Sequence, residues 1–368
     1  MAGFPFMRQA EAFLSSLPFI LLLVVFILPC PMSAAAKPRP AIAFVHLLLP
    51  PGGEPHASPA GWIGSLDRAR DTLESLRIPT IVSSASPGNA EDLNELSEMD
   101  PEVLITTSPL LYAAACDVAK RSPNTVFFAC TDETVHDNMS GFQARTYEAH
   151  YLAGLIAGAL SEDGVIGYLA NDPYQSKASR LRNANAFTLG AQKSKAAIRV
   201  LYAPGNDPDE ELKTLIAAGA DIVDLERALP SLVERLREHS VRYVGTAGRT
   251  VDPLCLAAPE WEWSNAFGDL LTQVRFGIWR PRNVSYGIKE GVVGLSPFGP
   301  AVPETVRVRV REAKEAIRNG ASPFEGPVRD VSGSLRIAEG SVPDDATLRG
   351  MDWRVQGLEP LPLTPDGR

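Results

Sequence analysis

From Ala41 onward, short apolar runs bounded by turn residues alternate with stretches of helical period, and that alternation predicts the architecture. The runs are 41–45 (AIAFV), 80–83 (TIVS), 102–106 (EVLIT) and 125–130 (TVFFAC), then 165–170 (VIGYLA), 198–203 (IRVLYA), 220–225 (ADIVDL) and 241–246 (VRYVGT). Strands that are apolar on both faces belong to parallel sheets covered by helices on either side. Between them Ile63, Leu66, Ala69, Leu73 and Leu76 share one stripe of a helix, as do Tyr147, Tyr151, Leu152, Leu155 and Ile156. Two sets of four such units predict an α/β fold of two doubly wound parallel-sheet lobes. A closed eight-stranded barrel would have no use for the loop-rich stretch after residue 280. Gly154 and Gly158, four apart, predict close approach of their helix to a neighbour.

Turn-residue clusters divide the chain further. A hinge is expected at Asn138 to Arg145, and a return crossing at Gly248 to Pro259, where Gly, Pro and Asp gather. Residues 37–143 and 248–280 then form an N-terminal lobe, 144–247 and 281–330 a C-terminal lobe, and 331–368 a wrapping tail. A helix is expected over 264–279, and edge strands from Pro281 onward.

The start of the chain departs from this pattern. Leu17 to Leu28 is a twelve-residue apolar stretch behind Arg8 and ahead of Ser33-Ala34-Ala35-Ala36. It is short of the ~20 residues a membrane-crossing helix needs, but it suits the apolar region of an export signal cut near Ala36. Residues 1–36 are therefore read as a signal peptide, and the remainder suggests two domains of roughly 150 residues each. A competing reading anchors lipid at Cys30, since Ile27-Leu28-Pro29-Cys30 has the outline of a lipobox with Pro29 in place of a small residue. Cys116, Cys130 and Cys255 are too few for a disulfide framework. A Cys116 to Cys130 bridge is left open, with buried thiols preferred.

Composition adds constraints. The chain of 368 residues is 45% hydrophobic and 21% charged, and 44 acidic against 35 basic side chains give a net charge of −9. Such an acid surplus argues against a nucleic-acid polymer as partner, because phosphate binding needs clustered Lys and Arg. The usual catalytic signatures HExxH, CxxC, GxSxG, the phosphate loop and GxGxxG are absent. Neither an enzyme nor a cofactor is expected, since no nucleophile, base and orienting group can be assembled. Histidines 46, 56, 136, 150 and 239 lack metal-ligand spacing and read as surface or loop residues. Asp207-Pro208-Asp209-Glu210-Glu211 reads as the acidic first turn of a helix rather than a calcium loop.

Three segments carry a resemblance. They are Thr146-Tyr147-Glu148-Ala149-His150-Tyr151-Leu152-Ala153-Gly154, the run from Gly287-Ile288-Lys289-Glu290-Gly291 to Phe298-Gly299-Pro300-Ala301-Val302-Pro303, and Gly350-Met351-Asp352-Trp353-Arg354-Val355-Gln356-Gly357. With Gly61-Trp62, Asn185-Ala186-Phe187-Thr188-Leu189-Gly190-Ala191 and Trp263, they resemble the basic membrane protein (BMP) family over essentially the whole mature chain. These are PnrA-like extracytoplasmic substrate-binding proteins of ABC importers. The resemblance implies two lobes joined by a three-segment hinge, as in type I periplasmic binding proteins. It further implies a purine base or nucleoside in the cleft, read by aromatic faces and carboxylates, and permease subunits in the membrane as partners. A ligand-sensing receptor module on the same fold is the alternative.

Carried over residue by residue, the resemblance implies a ligand site of Trp62, Asp67, Ser108, Asp132, Asn171, Trp261 and Trp263. Several have a plainer reading. Trp62 either stacks a planar ring or packs on a loop, and Asp67 either faces ligand or pairs with Arg68 or Arg70. Ser108 equally suits a helix cap, Trp263 equally suits the core, and Glu148 suits the ordering of the hinge. Gly205 and Asn206 stand where relatives carry an aromatic residue. Gly248 and Arg249, and the neighbourhood of Ala228, stand where they carry Asp, which puts the family's usual ligand in question.

Overall fold

In the computed structural model, residues 39–48, 61–131, 133, 136–172, 175–245 and 252–362 are described. All eight sequence-predicted runs are strands. β1 (Ile42–Leu47), β2 (Thr80–Ala85), β3 (Val103–Thr106) and β4 (Val126–Cys130) are joined by β5 (Met139–Ala144) in a first sheet. β6 (Val165–Leu169), β7 (Arg199–Ala203), β8 (Ile222–Leu225) and β9 (Arg242–Gly245) are joined by β10 (Cys255–Ala257) in a second. After β11 (Pro259–Trp261), β12 (Asn283–Tyr286) returns to the first sheet, and β13 (Val293–Leu295) pairs antiparallel with β11. A short antiparallel pair, β14 (Val328–Arg329) with β15 (Leu335–Ile337), precedes β16 (Leu358–Pro360) on the second sheet. The orders are β12-β5-β4-β3-β1-β2 and β10-β9-β8-β6-β7-β16, and every pairing within these two sheets is parallel.

Two short edge strands move the expected lobe boundaries. β10 lies in the second sheet, within the stretch 248–280 that the sequence places in the N-terminal lobe, and β12 lies in the first, within the stretch 281–330 that it places in the C-terminal one. The crossings therefore fall near residue 145, at 258–263 and at 287–292. β12 is a partly exposed edge of sequence NVSY and carries almost no apolar signal of its own. The chain ends its described part as the far edge of the second sheet at β16.

Helices α1 (Trp62–Ser75), α2 (Ala90–Ser97) and α3 (Tyr112–Ala119) cover the first sheet. α4 (Thr146–Leu160), α5 (Lys177–Ser194), α6 (Pro208–Ala217) and α7 (Pro230–Glu238) belong to the second. α8 (Ser264–Arg275) packs beside α1, and α9 (Glu304–Arg318) beside α4, before the short α10 (Asp345–Arg349). The close approach expected of Gly154 and Gly158 is realised against α5. A Cβ at Gly154 would fall on the carbonyl oxygen of Phe187, and one at Gly158 on that of Ala191. Asp207 caps α6 by accepting from the Glu210 N–H at 3.2 Å, so the acidic run is a helix start. Cys116 and Cys130 are buried thiols with no bridge between them.

Candidate functional site

All three crossings join the same ends of the two sheets. The first leaves the carboxyl end of β5 and enters α4, which runs back antiparallel to β6 and so starts at the carboxyl end of the second sheet. The second runs from the carboxyl end of β10 to the start of α8, and the third leaves the carboxyl end of β12. The strand carboxyl ends of both lobes thus border one cleft, where open α/β sheets place their ligands. The hinge is held by backbone and charge. The Arg145 N–H donates to the Tyr286 carbonyl at 2.7 Å, and the Arg145 guanidinium bridges Asp345 (2.8 Å) and Glu290 (3.3 Å). Glu148 accepts from the Ile288 N–H at 2.6 Å, an ordering role in the hinge. Burial is the largest influence on its carboxyl and lifts it to about 7 despite that bond and Arg145.

On the first-lobe side, Trp62 opens α1 and its indole N–H donates to the Thr107 carbonyl at 2.8 Å. Its ring is half-buried, edge-on to Trp261 at 5.8 Å and to Trp263 at 5.3 Å, and stacked on Phe142 at 6.4 Å. Trp261 lies on the second crossing, is also half-buried, and donates to the Thr146 hydroxyl at 3.2 Å. Trp263 is fully buried, stacked on Phe267 at 5.5 Å. It is core beneath the other two rather than a wall of the cleft, because α8 needs an apolar anchor where it meets α1. Asp67 pairs with Arg70 at 3.4 Å and with His46 Nε2 at 3.3 Å, while His46 Nδ1 meets the Thr107 hydroxyl at 3.2 Å. His46, read from sequence as a surface or loop residue, is therefore a half-buried strand residue at the cleft. Burial is the largest influence on it and holds its pKa below the usual value even beside Asp67, which favours a neutral ring.

Ser108 caps the short turn Pro109–Leu111 by accepting from the Leu110 N–H at 3.3 Å, the plainer of its two readings. Asp132 lies outside the described residues, as do Gly248 and Arg249.

On the second-lobe side, Asn171 is a clamp. Its amide donates to the Arg227 carbonyl at 2.8 Å and accepts from the Arg227 N–H at 2.9 Å, tying together the loops after β6 and β8. Both ends of its amide are thereby committed to backbone. Gly205 has φ +79, and the Glu211 carboxylate accepts from its N–H at 2.6 Å and from that of Asn206 at 3.1 Å. A side chain at Gly205 would strike the Ala170 carbonyl, so a tight turn occupies this place.

Sequence reasoning missed the polar cluster behind these loops. His150 Nδ1 lies 3.1 Å from Asp224 Oδ2, with both side chains buried. The Tyr168 hydroxyl donates to Glu226 at 2.9 Å, and the Asn183 amide approaches the same oxygen at 3.4 Å. Burial pushes the Glu226 carboxyl up to about 7. The sequence reads His150 as a surface or loop residue, and the structure buries it. Its helix stripe is apolar, and the partner that makes its burial tolerable comes from a strand 74 positions away.

Two parallel-sheet lobes joined by three crossings are the arrangement of the periplasmic-binding-protein-like fold. The solved structure of an ABC transporter solute-binding protein from Conexibacter woesei has this fold: TM-score 0.61 at 17% identity, covering 76% of this chain and 97% of that one. Residues 66–217 match the family model described as ABC transporter substrate-binding protein PnrA-like, and over that stretch the chain is similar to this family. It is 28% identical over 344 residues to a purine-binding protein of Brucella abortus, covering 89% of this chain and 95% of the relative. It is also 28% identical over 307 residues to a putative ABC transporter glucose-binding protein of Haloferax volcanii, covering 77% and 78%.

Proposed function

We propose that the protein is an exported solute receptor that captures a small planar ligand, a purine base or nucleoside-like compound, in the interlobe cleft and presents it to the permease of an ABC importer. The observation that carries this is the half-buried pair Trp62 and Trp261 at the junction of the lobes, beside the Asp67–His46 pair. Such a corner offers a ring face for stacking and an acceptor for ring N–H groups. The Brucella abortus relative's name supports the same ligand class, and the Haloferax volcanii relative's name makes sugars the comparison class. Closure of the lobes on the ligand would be a hinge motion at the three crossings.

A thermal-shift screen of the chain against nucleobases, nucleosides, amino acids and sugars tests the reading. A ligand at a hundred times its Kd stabilises by about 2.7 kcal/mol and raises the melting temperature visibly. Purines are expected to give that shift. Asp67→Asn, at a side chain 40% exposed and therefore tolerant of change, is expected to weaken binding roughly tenfold or more. A shift from sugars or amino acids with none from purines sinks the planar-ligand reading.

A further inference from the structure

The end of the first lobe opposite the cleft has features that solute capture does not use. Trp62 opens α1 and Trp263 caps α8, and their rings touch at 5.3 Å, so the two helices start together at the cleft and run side by side. With 14 and 12 residues they extend about 21 and 18 Å and finish together at the amino ends of the first sheet's strands. One ion pair supports that placement: Arg275, closing α8, binds Glu102 just before β3.

At this end stand the three most exposed large apolar side chains among the described residues: Phe276 at 76%, Leu76 at 67% and Ile278 at 64%. Leu76 follows α1, while Phe276 and Ile278 follow α8 in the run Arg275-Phe276-Gly277-Ile278-Trp279-Arg280-Pro281-Arg282. Three arginines accompany them. Among the described residues none of Arg77, Arg280 and Arg282 has a carboxylate partner: Arg280 donates to the carbonyls of Gly277 and Trp279, and Arg282 to the Gln273 amide. In a chain of net charge −9, three arginines without a carboxylate partner beside an apolar group are a feature of this end. Apolar tips with guanidinium groups beside them and a tryptophan at the margin match the chemistry of a bilayer interface with anionic headgroups.

We propose that this end of the first lobe is a contact for an anionic membrane surface. Leu76, Phe276 and Ile278 enter the boundary between headgroups and acyl chains, and Arg77, Arg280 and Arg282 meet lipid phosphates. The cleft, at the other end of α1 and α8, is left open to solute. This inference does not depend on which solute the cleft holds.

The test uses the full chain, phosphatidylcholine vesicles with and without phosphatidylglycerol, and lipids brominated near the headgroup. Trp279 is the tryptophan beside the patch, so its emission is the readout. Quenching is expected on the anionic vesicles, weaker on the neutral ones, and falling as salt is raised. It should vanish in Trp279→Phe. In Phe276→Asp combined with Ile278→Asp it should require about tenfold more lipid or disappear. Both changed residues are exposed, so the fold is kept. The apolar stretch Leu17–Leu28 could itself hold the chain on vesicles, but that would leave Trp279 unquenched. Quenching absent on anionic vesicles, or unchanged in the double variant, overturns the proposal. So does concentration-dependent dimerisation that the double variant abolishes, which would assign the face to a second copy of the chain.

Discussion

Asp224→Ala is expected to destabilise the protein by about 3–5 kcal/mol, because it leaves His150 buried without its partner. The loss has a defined pH dependence. Burial is the largest influence on His150 and opposes its charge, but the charge and hydrogen bond of Asp224 outweigh it, and the pKa is raised above the usual 6.5. A histidine whose folded value is raised contributes stability that is complete below its unfolded value and fades as pH climbs through the folded one. The gap between wild type and Asp224→Ala should therefore be wide at about pH 5.5 and narrower at about pH 8.5. Urea unfolding at the two pH values measures it. Asp224→Asn, which keeps an acceptor but removes the charge, should show the same trend with a smaller loss. Equal gaps at both pH values would mean that His150 is neutral in the fold throughout.

Gly154→Val is expected to cost about 3 kcal/mol or more, or to prevent folding outright. A Cβ at this position would land on the Phe187 carbonyl oxygen, 2.9 Å from its carbon and 3.0 Å from the Ala191 nitrogen. All three are backbone atoms of a helix, so no side chain can swing aside. α4 and α5 would have to separate, opening the core around Leu152, Ile156 and Phe187, all fully buried. Gly268 in α8 supplies the contrast, since a Cβ there meets nothing within 4 Å. Gly268→Ala should stabilise by about 0.5–1 kcal/mol through helix propensity alone, whereas Gly154→Ala should destabilise. Circular-dichroism melts of the two alanine variants give opposite signs if the contact between α4 and α5 is as tight as described.

The lobes were legible because strands buried on both faces leave a local signature. β1 to β4 and β6 to β9 each read as an apolar run without help from the rest of the chain. β5, with sequence MSGFQA, lacks such a run and reads as hinge. It holds Gly141 because Asn283 and the Thr131 carbonyl crowd that point, a reason that exists only once β12 has returned to pair with it. The candidate site divides similarly. Trp62, Trp261 and Asp67 came from the resemblance, and the structure sets them together at the junction of the lobes, with Trp263 in the core beneath them. Ser108 and Asn171 are polar residues at strand ends, which sequence assigns equally to ligand or to backbone, and the backbone claims both.

By itself the sequence determined two parallel-sheet lobes, the stripes that face them and the small residues that let α4 meet α5, because period and residue size are local properties. Tertiary structure alone decided which lobe owns β10 and β12, and that His46 joins Asp67. It alone paired His150 with Asp224 and gathered Leu76, Phe276 and Ile278 at one end. Those outcomes depend on partners far apart in the chain, and the energy of a buried charge or an exposed apolar side chain is set by what the fold places beside it.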